Sequence, residues 1–390
     1  MRTSLLLPML LLVHGSVPAQ WTAIPTGTND ELEALIILGD NDYLVAGEAG
    51  AAFRTTDGGS TWSTVVGLGN ETIRDFIRLD AQVLLGASDR YVVRSADNGD
   101  SWTTITVPAP DDLHAFARTG ETVLAVGRDG GIVRSDDLGM TWSAQASGVS
   151  ERLFCAWAFD ASNMMAAGRD GVGVRTTNGL TWAPIDLPGS DDWDDMRFFP
   201  TAVNVGLMAG EDGALLRSSD GGSTWTPTST GTTMGLTAIA ITNAGDAIIT
   251  GTTGTAIRSN DLGVSWSVMT SPVSASLNNV DAQGSTVVAC GVDGTVLKLG
   301  GAVGIEDPMP ASDLHLWPLP AQEVLNIHGD DLIGPVGVGI FGPDGKAVAH
   351  YTLRGGERSL DISGLSSGQY QMLVRDMHQR SLFGRFSVLR

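Results

Sequence analysis

The sequence predicts an all-β fold: a seven-bladed β-propeller closed by its own N-terminal strand, followed by a smaller C-terminal unit. Three observations predict it. A nine-residue motif recurs with a period near 40 residues, and 50 of the 390 residues are glycine while charged residues make up only 17%. The first and last repeats are each incomplete, and what one lacks the other supplies. Glycine provides the positive φ angles of tight turns. A period near 40 residues is that of one four-stranded propeller blade.

The motif runs from Arg54 to Trp62 as Arg-Thr-Thr-Asp-Gly-Gly-Ser-Thr-Trp. Its counterparts run from Arg94 to Trp102, Arg134 to Trp142, Arg217 to Trp225 and Arg258 to Trp266, with a version one residue shorter from Arg175 to Trp182. The six tryptophans are 40, 40, 40, 43 and 41 residues apart. Asp57, Asp97, Asp137, Asp220 and Asp261 are placed to accept hydrogen bonds from backbone N–H groups of their own turn. The residue after each allows a positive φ where it is glycine. Trp62, Trp102, Trp142, Trp182, Trp225 and Trp266 are expected to pack their large faces into the blade core. These aspartates and tryptophans are read as scaffold.

A second glycine pattern precedes each motif: Gly47 to Gly50, Gly127 to Gly130, Gly168 to Gly171, Gly210 to Gly213, Gly251 to Gly254 and Gly291 to Gly294. The second unit has Gly86-Ala-Ser-Asp-Arg90 in its place. Each unit therefore reads as inner strand, hairpin, second strand, glycine turn, third strand, Asp turn and outer strand. Seven third strands carry a basic residue: Arg54, Arg94, Arg134, Arg175, Arg217, Arg258 and Lys298. Lys298 has no tryptophan after it, whereas Trp21, 41 residues before Trp62, has no third strand before it. The segment from Trp21 is thus expected to complete the last blade, which closes the ring and removes exposed sheet edges.

The repeats resemble the Asp-box (BNR) superfamily, and their phrasing is most similar to the photosystem II assembly/stability factor-like propellers. The resemblance covers residues 20–301 and implies a seven-bladed ring. It does not choose a function, because sialidases, xyloglucanases and sortilin-type receptors carry the same box. After a 302–312 linker, residues 313–390 resemble the C-terminal sorting domain of type IX secretion substrates of the Bacteroidetes type. Trp317-Pro-Leu-Pro-Ala321 matches that family's opening with Leu319 in place of the usual Asn. Ile340-Phe-Gly-Pro-Asp-Gly-Lys346 matches its hairpin with a turn at Asp344-Gly345. Leu360 to Tyr370 and Phe386 to Arg390 match its later strands. The resemblance implies a small immunoglobulin-like β-sandwich, recognised by the type IX secretion machinery as a partner.

The N-terminus reads as a signal peptide over residues 1–19. Arg2 supplies the positive end, Leu5 to Val13 is almost wholly apolar, and Val17-Pro18-Ala19 predicts cleavage before Gln20. The apolar run is too short to span a bilayer, and no later segment is longer, so no transmembrane segment is expected. The formal charge of −21 opposes binding to nucleic acid or anionic lipid. The only cysteines, Cys155 and Cys290, fall in different blades and read as small buried hydrophobes. The expected location is outside the cell or on its outer-membrane surface, reached through the periplasm.

In a propeller, ligands usually sit where the inner strands begin, on the face opposite the Asp turns. Aligning the inner strands on Leu32, Ile73, Leu113, Leu153, Met196, Leu236 and Leu277 places Glu33, Arg74, His114, Phe154, Arg197, Thr237 and Asn278 around the channel mouth. That ring suits a polar ligand or a peptide, from a protein or glycan partner; more simply, it reads as the solvated lining of a water-filled channel. Asp129, Asp170, Asp212 and Asp192 are candidate carboxylates on the same face. A glycoside hydrolase would need two of them at a fixed separation, one with a raised pKa. Because the turn carboxylates recur blade after blade, they read more simply as turn residues.

The run Asp191 to Asp195, around Trp193, reads as the one insertion in the repeat. It would form an exposed acidic connection with one anchoring aromatic, or else a calcium or sugar site. A sialidase would need an arginine triad, for which Arg74, Arg197 and Arg128 or Arg169 are available. It would also need a nucleophilic tyrosine, and the propeller offers only Tyr43 and Tyr91, on second and third strands. No metalloprotease, Cys-x-x-Cys, P-loop or dinucleotide pattern occurs. The expected function is a non-catalytic binding propeller without a cofactor. The alternative is a polysaccharide-acting hydrolase using paired carboxylates.

Overall fold

The computed structural model describes residues 21–108, 112–300, 315–317, 321–328, 336–341, 347–353, 359–375 and 381–389. Residues 1–20, the 302–312 linker, Asp111, Leu319 and the Asp344-Gly345 turn lie outside the described residues. The chain divides into two compact units, Met1–Gly304 and Ile305–Arg390.

In the first unit, blade 1 sets the pattern with strands Leu32–Gly39, Asp42–Gly47, Ala52–Thr55 and Ser63–Thr64, hydrogen-bonded in that order. Six further four-stranded sheets follow around inner strands Ile73–Arg78, Leu113–Thr119, Leu153–Ala158, Trp193–Phe199, Leu236–Ile241 and Leu277–Gln283. Blade 7 takes its outer strand from the N-terminus: Trp21–Ala23 pairs antiparallel with the third strand, Trp21 opposite Leu299 and Ala23 opposite Leu297. The ring expected from the two incomplete repeats is therefore closed.

Second strands such as Leu84–Ser88 and Met164–Gly168 are buried at every residue. Their side chains are apolar or small because each blade is covered on both faces by its neighbours. The apolar side chains of the propeller form seven clusters, each drawn from two adjacent blades. The cluster between blades 1 and 2 joins Ile36, Leu44 and Leu68 to Ile73, Phe76 and Leu84. The cluster between blades 7 and 1 joins Val288, Cys290 and Val296 to Leu32, Tyr43 and Val45.

The tryptophans follow the same rule, which corrects their expected place in the core of a single blade. Trp102 of blade 2 packs into the cluster shared with blade 1, and Trp225 of blade 5 into the one shared with blade 4. Trp21 takes the seventh position, in the cluster between blades 6 and 7. A tryptophan at the end of each Asp turn thus seals a blade against the one before it.

The turn itself is held by its aspartate. Asp57 Oδ1 accepts the Thr61 N–H at 2.8 Å and Asp57 Oδ2 accepts the Thr61 hydroxyl at 2.7 Å. The Thr55 hydroxyl donates to Asp57 at 2.8 Å while accepting the Gly59 N–H at 2.8 Å. Asp97, Asp137, Asp220 and Asp261 repeat the arrangement with Ser101, Thr141, Thr224 and Ser265. In the shortened blade 4 turn, Asn178 receives the Thr181 N–H. The second glycine of the turn is needed for contact: a Cβ on Gly139 would lie 2.6 Å from Leu85 of the preceding blade.

In blades 1, 2, 3 and 5 the third-strand arginine reaches forward from the same region, whereas Arg175 of blade 4 donates to Asn163 of its own blade. Arg54 pairs with Asp100, and Arg94, Arg134 and Arg217 donate to the Leu138, Gly179 and Leu262 carbonyls, all in the turn of the next blade. Arg258 faces blade 7, which has no such turn; it pairs with Asp246 of its own blade and its Nε has no partner.

The second unit contains a three-stranded sheet of His315–Trp317, Val324–His328 and Ser359–Asp361. Its four-stranded sheet has the order Ala347–Leu353, Val336–Phe341, Gly368–Arg375, Ser381–Val388. Leu325, Ile327 and Leu360 from the first sheet and Val338, Met372, Val374 and Phe386 from the second share one apolar cluster. Tyr370 stacks on Phe386 with ring centroids 5.6 Å apart.

Two tests follow from this architecture. Trp21→Ala should destabilise the propeller by about 3–5 kcal/mol, the usual cost of emptying a buried aromatic site. Chemical denaturation monitored on the propeller transition reads it, and an unchanged midpoint would mean that the N-terminal strand does not seal the ring. Asp97, Asp220 and Asp261 are pulled down to about 2, chiefly by hydrogen bonds from Ser101, Thr224 and Ser265. Groups depressed on folding stabilise the fold above the ordinary aspartate pKa, and that contribution is lost as pH falls through about 2. Carboxylate NMR titration should therefore place these three midpoints below those of unstructured aspartates.

Candidate functional site at the channel mouth

Every inner strand begins the same way. Its first residue (Leu32, Ile73, Leu113, Leu153, Trp193, Leu236 or Leu277) is buried and pairs with the end of the second strand. In six blades that partner is the first glycine of the glycine turn, and in blade 2 it is Ser88. A Cβ on Gly47 would lie 1.8 Å from the Glu31 carbonyl oxygen, so the turn presses directly on the strand start. Immediately after the first residue, the register of all seven strand pairs shifts by a β-bulge. A bulge re-aims one side chain out of the alternating pattern. Here it turns the second residue of each inner strand into the channel mouth.

These second residues are Glu33, Arg74, His114, Phe154, Asp194, Thr237 and Asn278. Six of the seven were expected from the sequence; blade 5 contributes Asp194 where Arg197 was expected. The alignment on Met196 is three residues out of register, because blade 5 starts at Trp193. Arg197 lies deeper in the channel, level with Ile36, Ile77, Ala117, Trp157, Ala240 and Asp281. The missed signal is a constant spacing: each motif tryptophan stands eleven residues before the next inner strand, as in Trp62 and Ile73, Trp142 and Leu153, or Trp182 and Trp193. The Asp191 to Asp195 run is likewise not an inserted loop. Trp193 is 1% exposed at the head of the strand, and Asp195 is buried within it. The extra length of blade 5 sits in the hairpin at the other end. Seven residues separate Phe198 from its partner Gly206, against five between Ala158 and Met164 in blade 4.

The mouth residues line one cavity of about 260 Å³, with Asp75, Asp195 and Arg197 lower in it. Its two sides differ in charge. On blades 2 to 4, Arg74 pairs with Asp89 at 3.0 Å, and Asp112 receives both Arg128 at 3.1 Å and Arg152 at 2.8 Å. Arg169 lies 5.9 Å from the centre of the Phe154 ring, which meets the edge of His114 at 5.1 Å. His114 Nε2 is buried and has no hydrogen-bond partner. Burial first, then Arg74, Arg152, Arg128 and Arg169, push the imidazole down to about 3, so it is neutral at pH 7.

The opposite side is acidic. Burial, followed by Glu31, raises Glu33; burial, followed by Glu211, Asp192 and Asp195, raises Asp194 to about 7. Asn278 donates to the Glu31 carboxylate and to the Leu32 carbonyl, both at 3.1 Å.

The candidate turn carboxylates are not part of this cavity. Asp129, Asp170 and Asp212 are exposed and take φ angles of 54°, 55° and 53°. Ala49, Thr253 and Asp293 occupy the same turn position with the same left-handed backbone. Aspartate is favoured there because it tolerates that conformation. Asp192 accepts the Asp170 N–H at 2.7 Å and lies 3.7 Å from Arg169, so it braces the turn. Tyr43 and Tyr91 are also elsewhere, donating to the Asp40 and Leu68 carbonyls. Cys155 and Cys290 are free, buried thiols in contact with backbone carbonyls of the next blade. Among the described residues no group of three or more His, Cys, Asp or Glu side chains is arranged to hold a metal ion. No helix among them is long and apolar enough to cross a membrane.

Comparison with known proteins separates the two units. Residues 315–385 match the family described as "Secretion system C-terminal sorting domain". The C-terminal unit carries an export signal. It indicates export through type IX secretion, to the cell surface or outside, and makes that machinery a partner. For the propeller, YCF48 from Cyanidioschyzon merolae superposes with a TM-score of 0.58 at 18% identity, over 72% of this chain and 98% of that one. YCF48 bound to D1 peptide gives 0.60 at 17% identity, over 74% and 99%. The GH74 enzyme of Niastella koreensis gives 0.56 at 17% identity over 71% of this chain, but only 44% of its own length is covered. These likenesses concern the fold. No curated relative matches the sequence.

The raised Asp194 gives a test of the mouth's electrostatics. A carboxyl whose pKa is raised on folding favours the fold below the ordinary aspartate value, and that advantage is lost as pH rises through about 7. Asp194→Asn should thus stabilise the propeller at pH 8, by roughly 1–3 kcal/mol after allowing for water in the cavity, and change little at pH 4. Denaturation at the two pH values reads the difference. Equal effects at both would show that Asp194 is ionised freely.

Proposed function

We propose that this chain is an exported, non-catalytic binding propeller that captures a peptide segment carrying an acidic group at its channel mouth. On this reading residues 1–19 are removed before Gln20, 20–301 form the propeller, and 313–390 deliver it through the periplasm to the outer-membrane surface or the medium. The observation that carries the reading is the convergence of seven bulged residues, one from each blade, on a cavity with unlike sides. Arg74 on the cavity wall beside an aromatic pair, backed by Arg128, Arg152 and Arg169 with their partners Asp112 and Asp192, suits a carboxylate attached to an apolar or planar group. Glu33, Asp194 and Asn278 opposite suit the N–H donors of the same segment. A propeller of similar fold, YCF48, has been described bound to D1 peptide, which lends support to a peptide as the ligand class.

One observation favours a second reading. Glu33 and Asp194 both line the cavity and both have raised pKa values, a property of acid catalysts in glycoside hydrolysis. A polysaccharide-acting hydrolase would use this pair, in place of the turn aspartates that the sequence suggested.

Screening the full chain against peptide and glycan arrays, with hydrolysis followed in parallel, separates the two. The binding reading expects acidic peptides to be retained without turnover, and Arg152→Gln or Phe154→Ala to weaken retention by about tenfold. Polysaccharide hydrolysis that disappears in Asp194→Asn would replace it with the enzyme reading.

A further inference from the structure

A second cavity, of about 360 Å³, lies on the other face of the ring, the face of the Asp turns. It arises from unequal inner strands. Blades 4 and 5 bring Trp157, Phe159 and Phe198 to its wall, while blades 6 and 7 face them with Ala240 and Ala282. The long blade 5 hairpin adds Pro200 and Val203 at the rim, and Val203 is 65% exposed. Twelve of the fourteen lining residues are apolar; the two charged ones are Arg197 and Asp281. The size and the apolar lining with two convergent polar groups are those of a small-molecule site.

The charge balance selects the ligand. Arg197 is matched by Asp195, at 2.8 Å. Asp281 has no basic side chain within ion-pairing distance among the described residues; its oxygens are held by the Ile37 and Ala282 N–H groups at 2.8 Å each. Asp75, beside the same guanidinium, lines the adjoining cavities and not this one, so Asp281 is the carboxylate that faces it. A carboxylate held only by neutral donors beneath aromatic walls is an environment that favours a cation, through Coulomb attraction below and ring quadrupoles at the side. We propose that this cavity binds a small organic cation, an ammonium group on an apolar body, with Asp281 as its counter-ion. The site opens on the face opposite the mouth and shares only Arg197 with the mouth cavity, and the proposal does not depend on what the mouth binds.

Calorimetric titration of the full chain with phenethylamine, 2-phenylethanol and 3-phenylpropionate tests it, since the three differ mainly in the head group. Phenethylamine should bind, the alcohol about tenfold more weakly, and the carboxylate more weakly still. Ala282→Leu, which fills the cavity, should abolish amine binding. Val203→Lys, an exposed change that places a positive charge at the rim, should weaken it several-fold. Arg74→Gln at the mouth should leave it unchanged, which distinguishes this site from the proposed peptide site. Preference for the carboxylate, absence of amine binding, or amine binding indifferent to both Ala282→Leu and Val203→Lys would each overturn the proposal.

Discussion

No blade of this propeller has a core of its own. Each apolar cluster is shared between two neighbours, so a blade becomes stable only when covered on both faces, and the condition is met for all seven only if the ring closes. That constraint explains the recurrent residues better than any property of the single repeat. The motif tryptophan is large because it seals the gap to the preceding blade, and the third-strand arginine of blades 1, 2, 3 and 5 is long because it reaches the turn of the following one. The Asp turn holds both parts in place, and its carboxylate spends its hydrogen-bonding capacity within the turn. Trp21 is recruited from the other end of the chain because the seventh interface would otherwise lack its seal.

The same constraint leaves one position per blade free to vary. Residues on either side of the bulge are committed, the first to the inter-blade cluster and the third to the strand ladder. The residue between them points into the mouth and packs against no repeating partner. It is accordingly Glu, Arg, His, Phe, Asp, Thr and Asn in turn around the ring. Binding chemistry lives in what the scaffold does not dictate, and in this fold that is a ring of seven side chains with the turns that support them.

The scaffold was legible from the sequence because it repeats. Six motifs in register, together with the unmatched Trp21 and Lys298, were enough to reach the closed ring. Legibility failed where one blade departs from its neighbours. Met196 was the tempting equivalent of Leu153 and Leu236, since a tryptophan flanked by four aspartates does not look like the start of a buried strand. Trp193 nevertheless fills that position, with its backbone in the ladder and Asp195 accepting the Ile239 N–H of the next blade. Local polarity pointed to a loop, and tertiary packing overrode it. The acidic turn residues misled in the opposite direction. Their recurrence reflects a backbone angle, as Ala49 and Thr253 show by adopting it without a carboxylate.

The channel below the mouth is where the ring departs furthest from an inert scaffold. Asp75, Asp195 and Asp281 each accept a backbone N–H from the inner strand of the next blade, tying blade 2 to 3, 5 to 6 and 7 to 1. Such ties carry a desolvation cost, visible in Asp75, which enclosure in the channel raises to about 7, and in the raised Asp281. Arg197 offsets part of that cost from a level at which the other blades place Ile36, Ile77, Ala117, Trp157, Ala240 and Asp281. A single guanidinium therefore lies among three carboxyl groups drawn from three blades, ion-paired with Asp195 alone, and it lines the cavities on both faces. Removing it would leave Asp195 without its ion-pair partner. The electrostatics of the two faces thus meet at one residue that neither the repeat nor the mouth ring would have singled out.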